Sequence, residues 1–227
     1  MLACASDLFG AWSVPYVKHA ANTASARPQS CDGSLRMGQA AGRGLLLVSA
    51  SMDIELVAYD DEWTSIADAA CAELRVSLPG LFTDIEHIGS TSVPGLVAKP
   101  IIDLIAGSED LAHVVAREET LRLLGYEHHD TGMPGRLFYR RNENGRRAYH
   151  LHVIPATTWA TRNERLLRDY LRAHPADARR YGDLKRELAA RHVTSAEYTR
   201  GKTGLIQELT DRARAARGLP SVPVWEE

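Results

Sequence analysis

Residues 87–104 read His-Ile-Gly-Ser-Thr-Ser-Val-Pro-Gly-Leu-Val-Ala-Lys-Pro-Ile-Ile-Asp-Leu, and this stretch decides the fold. A strand pattern runs into Gly89 and Ser90, where small residues let the backbone approach a ligand closely and present hydroxyls and amides to anionic oxygens. Lys99 adds a positive charge. Asp103 lies in an otherwise apolar strand, where a carboxylate is costly unless it is paired, hydrogen-bonded or bound to a cation. The stretch predicts an anion-binding turn beside a functional acid. Spacing alone leaves open an ordinary turn with Asp103 satisfied by backbone amides.

Further motifs extend this pattern along the chain, and together they resemble the GrpB family over about residues 54–212. The motifs outside residues 87–104 are Tyr149–Ile154, Arg168–Arg172, Tyr198 and Lys202. The resemblance implies an α/β (α+β) fold of the nucleotidyltransferase-like kind, with a mixed β-sheet, packed helices and a helical C-terminal layer. Members of the family also occur fused behind dephospho-coenzyme A kinase, and the reaction of the family is poorly defined.

Nucleotidyltransferases place a Gly-Ser turn at the start of a helix and two carboxylates on the next strand. The turn holds nucleotide phosphates, and the carboxylates bind a divalent metal such as Mg²⁺ or Mn²⁺. Gly89 and Ser90 match the turn and Asp103 matches the first carboxylate, but Ile105 stands at the second position. Asp103 is therefore the one tentative metal ligand that this resemblance implies, and ordinary two-metal transfer is in doubt.

Two histidines are the best replacement for the missing acid. His150 and His152 share one face of a predicted strand because side chains alternate with period two. Beside Asp103, two imidazoles could bind a metal, donate to phosphate or move a proton. The alternative is a pair of exposed or structurally hydrogen-bonded histidines. His87 is a weaker candidate, two residues before Gly89.

Basic residues and one tyrosine are candidates to complete an anion pocket if the fold brings the C-terminal helices over the Gly-Ser turn. Each of them alone is more often a solvated surface charge. The candidates are Arg140 on a predicted hairpin, and Arg168, Lys185, Tyr198 and Lys202 on the C-terminal helices.

Periodicity and turn residues predict the order of helices and strands. Helices are expected at Asp61–Leu78, Ser108–Leu124 with Gly125 at its end, Thr157 or Thr158 to Ala173, Pro175–Arg191 and Ser195–Ala215. A short strand or lead-in is expected at Ile54–Val57, followed by strands at Asp84–Ile88, Ile101–Ala106, Leu137–Arg141 and Tyr149–Ile154. Asn142–Gly145 is expected to be a hairpin turn, and Trp63 is expected in the core.

The composition of the chain indicates its class and how it divides into segments. A hydrophobic content of 44% and a charged content of 25% are typical of a folded protein, and the net charge of -2 gives no global attraction to nucleic acid or membrane. We expect residues 1–51 to be a disordered N-terminal extension, with a flexible targeting arm as the alternative, 52–215 to be the domain, and 216–227 a tail. No apolar run reaches the roughly 20 residues needed to span a bilayer. Three cysteines without metal spacing favour a reduced, cytoplasmic setting.

Two functions remain in competition. The first is a metal-assisted transferase acting on a nucleotide or another phosphorylated small molecule. In it Gly89, Ser90, Ser92 and Lys99 hold phosphate, and Asp103 with one of the histidines holds a cation or moves a proton. The second is a non-catalytic nucleotide-binding or accessory domain, which the missing second carboxylate favours.

Overall fold

The computed structural model describes residues 54–191 and 193–224. The predictions for residues 1–51, including those for Cys4 and Cys31, lie outside the described residues. Cys71 is buried and has no disulfide partner. Within the part of the chain that the structure describes, no helix has both the length and the apolar character needed to cross a bilayer.

A five-stranded mixed sheet forms the centre of the domain. The strands are β1 (Asp84–Ile88), β2 (Ile102–Ser108), β3 (Tyr126–His128), β4 (Leu137–Glu143) and β5 (Arg146–Pro155), in the spatial order β1-β2-β5-β4-β3. β2 and β5 are parallel, and the other three pairs are antiparallel. The predicted strands are confirmed, while the three-residue edge strand β3 is too short to give a sequence pattern. Val57, in the predicted lead-in, makes only an isolated bridge to Ala98.

The hairpin between β4 and β5 is tighter than predicted. Asn144 and Gly145 both have positive φ angles, 51° and 74°, as a two-residue type I′ turn requires. Asn142 and Glu143, predicted in the turn, instead pair with Arg147 and Arg146 as the ends of the strands.

Helices cover the sheet on both sides. They are α1 (Glu62–Ser77), α2 (Leu111–Val115), α3 (Glu118–Leu123), α4 (Asn163–Ala173), α5 (Pro175–Ala190) and α6 (Ser195–Ala215). α1, α5 and α6 lie where the sequence predicts them. A capping box of Thr194 and Glu197 starts α6.

Two helix predictions are wrong in detail. The helix expected over Ser108–Leu124 is split into α2 and α3. Asp110, and not Ser108, caps α2 by accepting from the backbone N–H of Ala112, while the Ser108 hydroxyl bonds to the carbonyls of Leu81 and Asp110. Gly125 does end α3 with a positive φ of 83°. The residues after β5 form a 3₁₀ helix, Ala156–Thr161, in which Thr158 donates to the carbonyl of Pro155, so neither predicted threonine caps α4.

The two faces of the sheet differ in chemistry. One face packs its apolar side chains against α1, whose Trp63 is only 6% exposed, as predicted. The other face carries Glu86, Asp103, His150 and His152 and is covered by the C-terminal helices. The predicted acid and the two strand histidines therefore lie on the face beneath α4, α5 and α6.

The helical layer is tied to the turn after β1. Val93 and Leu96, at the end of the Gly/Ser/Pro stretch, share a hydrophobic cluster with Leu171, Tyr181 and Leu209 of the three C-terminal helices. Burial of these side chains fixes α5 and α6 over residues 89–99. The mixed sheet, the packed helices and the C-terminal layer confirm the predicted fold. The Gly-Ser turn and a carboxylate on the next strand are the arrangement of nucleotidyltransferase-like folds.

Residues 216–224, predicted as part of a tail, make hydrogen bonds to the domain. Gln207 bonds to Val222 and Val224, and the Arg214 guanidinium donates to the carbonyl of Pro220. This segment is therefore held against α6.

Candidate functional site

The Gly-Ser turn is fixed by its own hydroxyls. Gly89 has φ 72° and ψ -171°, and residues Ser90–Ser92 form a single 3₁₀ turn. The Ser92 hydroxyl donates to the carbonyl of Gly89 at 2.6 Å, and the Thr91 hydroxyl donates to the carbonyl of Ile101 at 3.1 Å. Ser92 is 2% exposed, so the structure gives this predicted ligand-binding residue a bond inside the turn, whereas Ser90 faces the cleft.

A cleft of about 180 Å³ lies between this turn, the sheet and the helices α5 and α6. Most of the predicted site residues meet here, and Asp103 is the one carboxylate among the described residues of its lining. The residues that line the cleft are Ser90, Thr91, Lys99, Ile101, Asp103, His150, Lys185, Tyr198, Thr199 and Lys202.

Lys185 is the most deeply placed cation of the cleft, with only 2% of its surface exposed. Its ammonium donates to the Ser90 hydroxyl at 3.0 Å and to the carbonyl of Val97, and it lies 4.7 Å from the centre of the Tyr181 ring. Burial, and next the charge of Lys202, lower the pKa of Lys185 to about 7. None of these partners is an acid, so an anion in the cleft would stabilise the charged form.

The other two lysines share one aromatic ring. The ammonium groups of Lys99 and Lys202 lie 4.8 Å and 4.5 Å from the centre of the Tyr198 ring. Burial lowers the pKa of Lys99. Burial, and next repulsion from the charge of Lys99, lower the pKa of Lys202 to about 8. Three lysines thus converge on a small volume that contains one carboxylate.

Asp103 and His150 form a direct pair on neighbouring strands. The Nδ1 atom of His150 lies 2.8 Å from Oδ1 of Asp103, and the two residues are register partners in the parallel pair β2–β5. The pKa of Asp103 stays low because the hydrogen bond and the charge of His150 outweigh the opposing effect of burial. A carboxylate only accepts, so Nδ1 of His150 carries the proton. The Nε2 atom is buried and has no hydrogen-bond partner within the described residues.

His152 has the opposite tautomer. Its Nδ1 atom lies 2.5 Å from a guanidinium nitrogen of Arg136, and a guanidinium only donates, so Nδ1 accepts. Burial and the charge of Arg136 lower the pKa of His152 to about 4, so the ring is neutral and carries its proton on Nε2. His152 therefore offers a hydrogen-bond donor.

Asp103, His150 and His152 form a group that could hold a metal ion, with ligand atoms within 4.8 Å of one another. A magnesium ion fits this group poorly, because Mg²⁺ prefers oxygen ligands in an octahedron and only one of the three residues supplies them. An ion that favours imidazole, such as Zn²⁺, fits better. To bind His152, either ion would have to displace the proton on Nε2 or the Arg136 contact on Nδ1, and the three lysines oppose a further cation.

Several predicted residues lie outside the cleft lining. Arg168 bonds to Glu86, Asp169 and the carbonyl of His87, which ties α4 to β1. His87 bonds to Thr91 through Nε2, and burial lowers its pKa to about 4. Arg140 lies opposite His150 on β4 and not among the lysines.

Sequence reasoning missed Thr199 in the lining and Arg136 beside His152. Thr199 directly follows Tyr198 and could have been considered with it. Arg136 belongs to the irregular stretch before β4, where no periodicity indicates the direction of a side chain.

Comparison with known proteins gives a consistent family. The GrpB protein family matches residues 53–212. The UPF0157 protein YqkA of Bacillus subtilis is 33% identical over 180 residues, which cover 77% of this chain and 52% of YqkA. The UPF0157 protein PA4798 of Pseudomonas aeruginosa is 36% identical over 189 residues, which cover 74% of this chain and 71% of PA4798. The chain thus spans about half the length of YqkA.

One solved structure agrees with this family match. The conserved protein GrpB from Enterococcus faecalis has a TM-score of 0.67 and 31% identity, and the match covers 72% of this chain and 99% of that one. A more distant structure, the Cid1 poly(U) polymerase, has a TM-score of 0.39 and 16% identity over 57% of this chain and 45% of that chain.

Proposed function

Since this chain belongs to the GrpB family, we propose from the chemistry of its cleft that it is a transferase acting on a nucleotide or another phosphorylated small molecule. The observation that carries the proposal is the convergence of Lys99, Lys185 and Lys202 on one cleft, in which Lys185 donates to the Ser90 hydroxyl. Buried like charges are costly, and a bound polyphosphate offsets that cost. A cytoplasmic setting belongs to the same proposal.

The lysines take over the charge neutralisation that divalent metal would otherwise supply. Lys185 and Ser90 hold one phosphate group, and Lys99 and Lys202 hold the next ones along the chain of phosphates. In this proposal a predicted Mg²⁺ or Mn²⁺ ion is not required for binding. Thermal unfolding with and without divalent metal measures whether ligand binding depends on such an ion.

The Asp103–His150 pair supplies the acid–base chemistry. Asp103 accepts the proton on Nδ1 of His150, so in the neutral form of the ring the lone pair lies on Nε2. This nitrogen is enclosed, so the incoming substrate has to displace the side chains around it. Once reached, Nε2 takes the proton of an acceptor hydroxyl, and the acceptor oxygen attacks the phosphorus of the donor. The bond between that phosphorus and the oxygen of the leaving phosphate breaks, and the leaving phosphate departs with its negative charge neutralised by the lysines of the cleft.

A second candidate is a binding or accessory domain without catalysis. Ile105 favours this function, because it is fully buried in an apolar cluster at the position where a second carboxylate would bind metal. The two candidates share the lysine cleft and differ in the role of His150.

Thermal unfolding with inorganic tripolyphosphate and with ATP tests the proposal. We expect each ligand at about 100 times its Kd to stabilise the wild type by about 2.7 kcal/mol, and to do so in EDTA as well as with Mg²⁺, Mn²⁺ or Zn²⁺. A Lys185→Met, Lys202→Met double variant should lose this stabilisation. The Arg186→Met variant is the matched control, because Arg186 is an exposed cation of α5 paired with Asp183. No stabilisation of the wild type by either ligand would contradict the proposal.

Phosphorus NMR of ATP incubated with candidate acceptors separates the two functions. For a transferase we expect turnover by the wild type and a loss of about 100-fold or more in His150→Gln, with unchanged tripolyphosphate affinity. Tight binding of tripolyphosphate without turnover by the wild type would instead support the accessory domain.

Tripolyphosphate binding should depend on pH through the lysines. The pKa values of Lys185 and Lys202 are lowered to about 7 and about 8, and a bound anion raises them again. We therefore expect affinity to fall from about pH 6.5 to about pH 9, and binding at about pH 8 to take up about one proton. Calorimetry in two buffers of different ionisation enthalpy measures this uptake, which should shrink in Lys202→Met. Equal affinity across this range would contradict the assignment.

A further inference from the structure

Arg140 belongs to a row of register partners that crosses the sheet, in which Glu127 of β3 follows it. Asp103 on β2, His150 on β5 and Arg140 on β4 are consecutive register partners and therefore lie side by side on one face. Because neighbouring strands are about 4.8 Å apart, Arg140 lies about 10 Å from Asp103 across the sheet. The Ser90 turn lies at the Asp103 end of this row, since β1 pairs with β2 there. Arg140 is thus on the far side of His150 from the lysines.

Phe138 supports Arg140 in this position. The guanidinium carbon lies 5.2 Å from the centre of the Phe138 ring, and the His150 ring lies 5.1 Å from the same centre. A planar guanidinium on an aromatic face is held in orientation while its N–H edge stays available. Phe138 therefore brings Arg140 and His150 to one apolar platform.

No carboxylate of the described residues forms an ion pair with Arg140, although Glu127 is its register partner on β3. Its neighbours on this side of the sheet are paired, Arg136 with Glu164 and Arg165 with Glu86. Arg140 has no acidic partner in residues 54–191 or 193–224, and its buried Nε atom has no acceptor there. A buried guanidinium nitrogen without an acceptor is rare in folded proteins and calls for a missing group.

We infer that Arg140 forms a second anion subsite, which binds a phosphate or carboxylate group of the acceptor substrate. This inference rests on the proposed function and narrows its substrate class. The donor phosphates bind at the lysines, the acceptor binds through its own oxyanion at Arg140, and His150 lies between the two. A guanidinium is suited to this task because it binds planar oxyanions through two N–H groups.

Proton–nitrogen correlation spectra of the arginine Nε–H groups test this subsite directly. The wild-type protein is first saturated with inorganic tripolyphosphate, and inorganic phosphate or acetate is then titrated in separate experiments. We expect the Arg140 Nε–H signal, assigned by its absence in Arg140→Lys, to move saturably with at least one of the two anions. A response to phosphate assigns a phosphorylated acceptor, and a response to acetate assigns a carboxylate.

Affinity measurements complete the test. Arg140→Gln should weaken the second anion by about tenfold or more while tripolyphosphate affinity changes less than about twofold, and Lys185→Met should give the reverse pattern. Arg146→Gln removes an exposed charge from the same hairpin and should change neither affinity. An Arg140 signal that moves with neither anion, or a loss of tripolyphosphate affinity in Arg140→Gln equal to that in Lys185→Met, overturns the second subsite. Failure of tripolyphosphate to bind at all overturns the proposed function instead.

Discussion

Replacement of Gly89 by alanine should destabilise the protein by about 3 to 5 kcal/mol, the largest loss expected for any single methyl group in the cleft. Gly89 has φ 72° and ψ -171°, a region that is essentially restricted to glycine and costs another residue about 1 to 3 kcal/mol. An added Cβ would also lie 2.3 Å from Oδ2 and 2.9 Å from Cβ of Asp103. Because both the strand and the Asp103–His150 bond hold that carboxylate, it cannot move away at low cost.

Gly95→Ala is the matched control for Gly89→Ala. Gly95 lies in the same stretch and has a φ of 75°, but within the described residues no atom lies within 4 Å of the position that its new methyl group would occupy. Its replacement should cost about 1 to 2 kcal/mol of backbone strain alone. Urea unfolding followed by circular dichroism measures both variants. Equal losses in the two variants would mean that the contact between Gly89 and Asp103 contributes nothing.

The residues around the contact between Gly89 and Asp103 are the part of the site that could be predicted from the sequence. Gly89, Ser90 and Asp103 are encoded within residues 87–104, where a strand, a turn and a second strand leave little freedom. The pairing of Asp103 with His150 follows from period-two alternation once β2 and β5 are neighbours. These residues were predictable because their directions are set by local backbone geometry.

Other site residues depend on geometry that no local pattern encodes. Ser92 resembles a phosphate ligand in sequence, but a 3₁₀ turn has three residues per turn and directs its hydroxyl inward to Gly89. The sequence places Arg140 with the lysines as a candidate, and only the strand order shows it on the far side of His150. The tautomer of His152 depends on Arg136, a residue of the irregular stretch before β4.

The fold follows the same division. α5 and α6 are predicted closely because Pro175 and Ser195 mark their starts and their apolar periodicity is long. The segment after β2 is predicted as one helix because its apolar residues repeat at helical spacing. In the structure, residues 116–117 separate α2 from α3. An interruption of only two residues does not change the spacing of the apolar residues enough to be predicted. Lys185 and Lys202 meet above the turn because Tyr181 of α5 and Leu209 of α6 pack in one cluster with Leu96. This is a tertiary contact, which no local pattern encodes.

Lys185→Met should weaken tripolyphosphate binding and, at the same time, make the protein more stable. A lysine whose pKa falls from 10.5 to about 7 on folding costs roughly 5 kcal/mol at pH 7 or below, as an upper bound. Methionine removes that cost, but it also removes the hydrogen bonds to Ser90 and Val97, worth about 1 to 3 kcal/mol. We expect a net gain of about 1 to 3 kcal/mol in the free energy of unfolding at pH 7, and a loss of about 10- to 100-fold in tripolyphosphate affinity.

The pH dependence of this gain identifies its cause. The folded-state pKa of Lys185 is lowered, so the folded state loses its proton while the unfolded state still holds it. The cost of the lysine is complete below about pH 7, shrinks as the pH rises from there, and vanishes near 10.5. The stability difference between Lys185→Met and the wild type should therefore decline between about pH 7 and about pH 10 in urea unfolding. Arg179→Met, which removes an exposed cation of α5 that is not among the charges acting on Lys185, should show no such decline. A gain that is independent of pH would mean that apolar packing, and not the buried charge, limits the stability of the wild type.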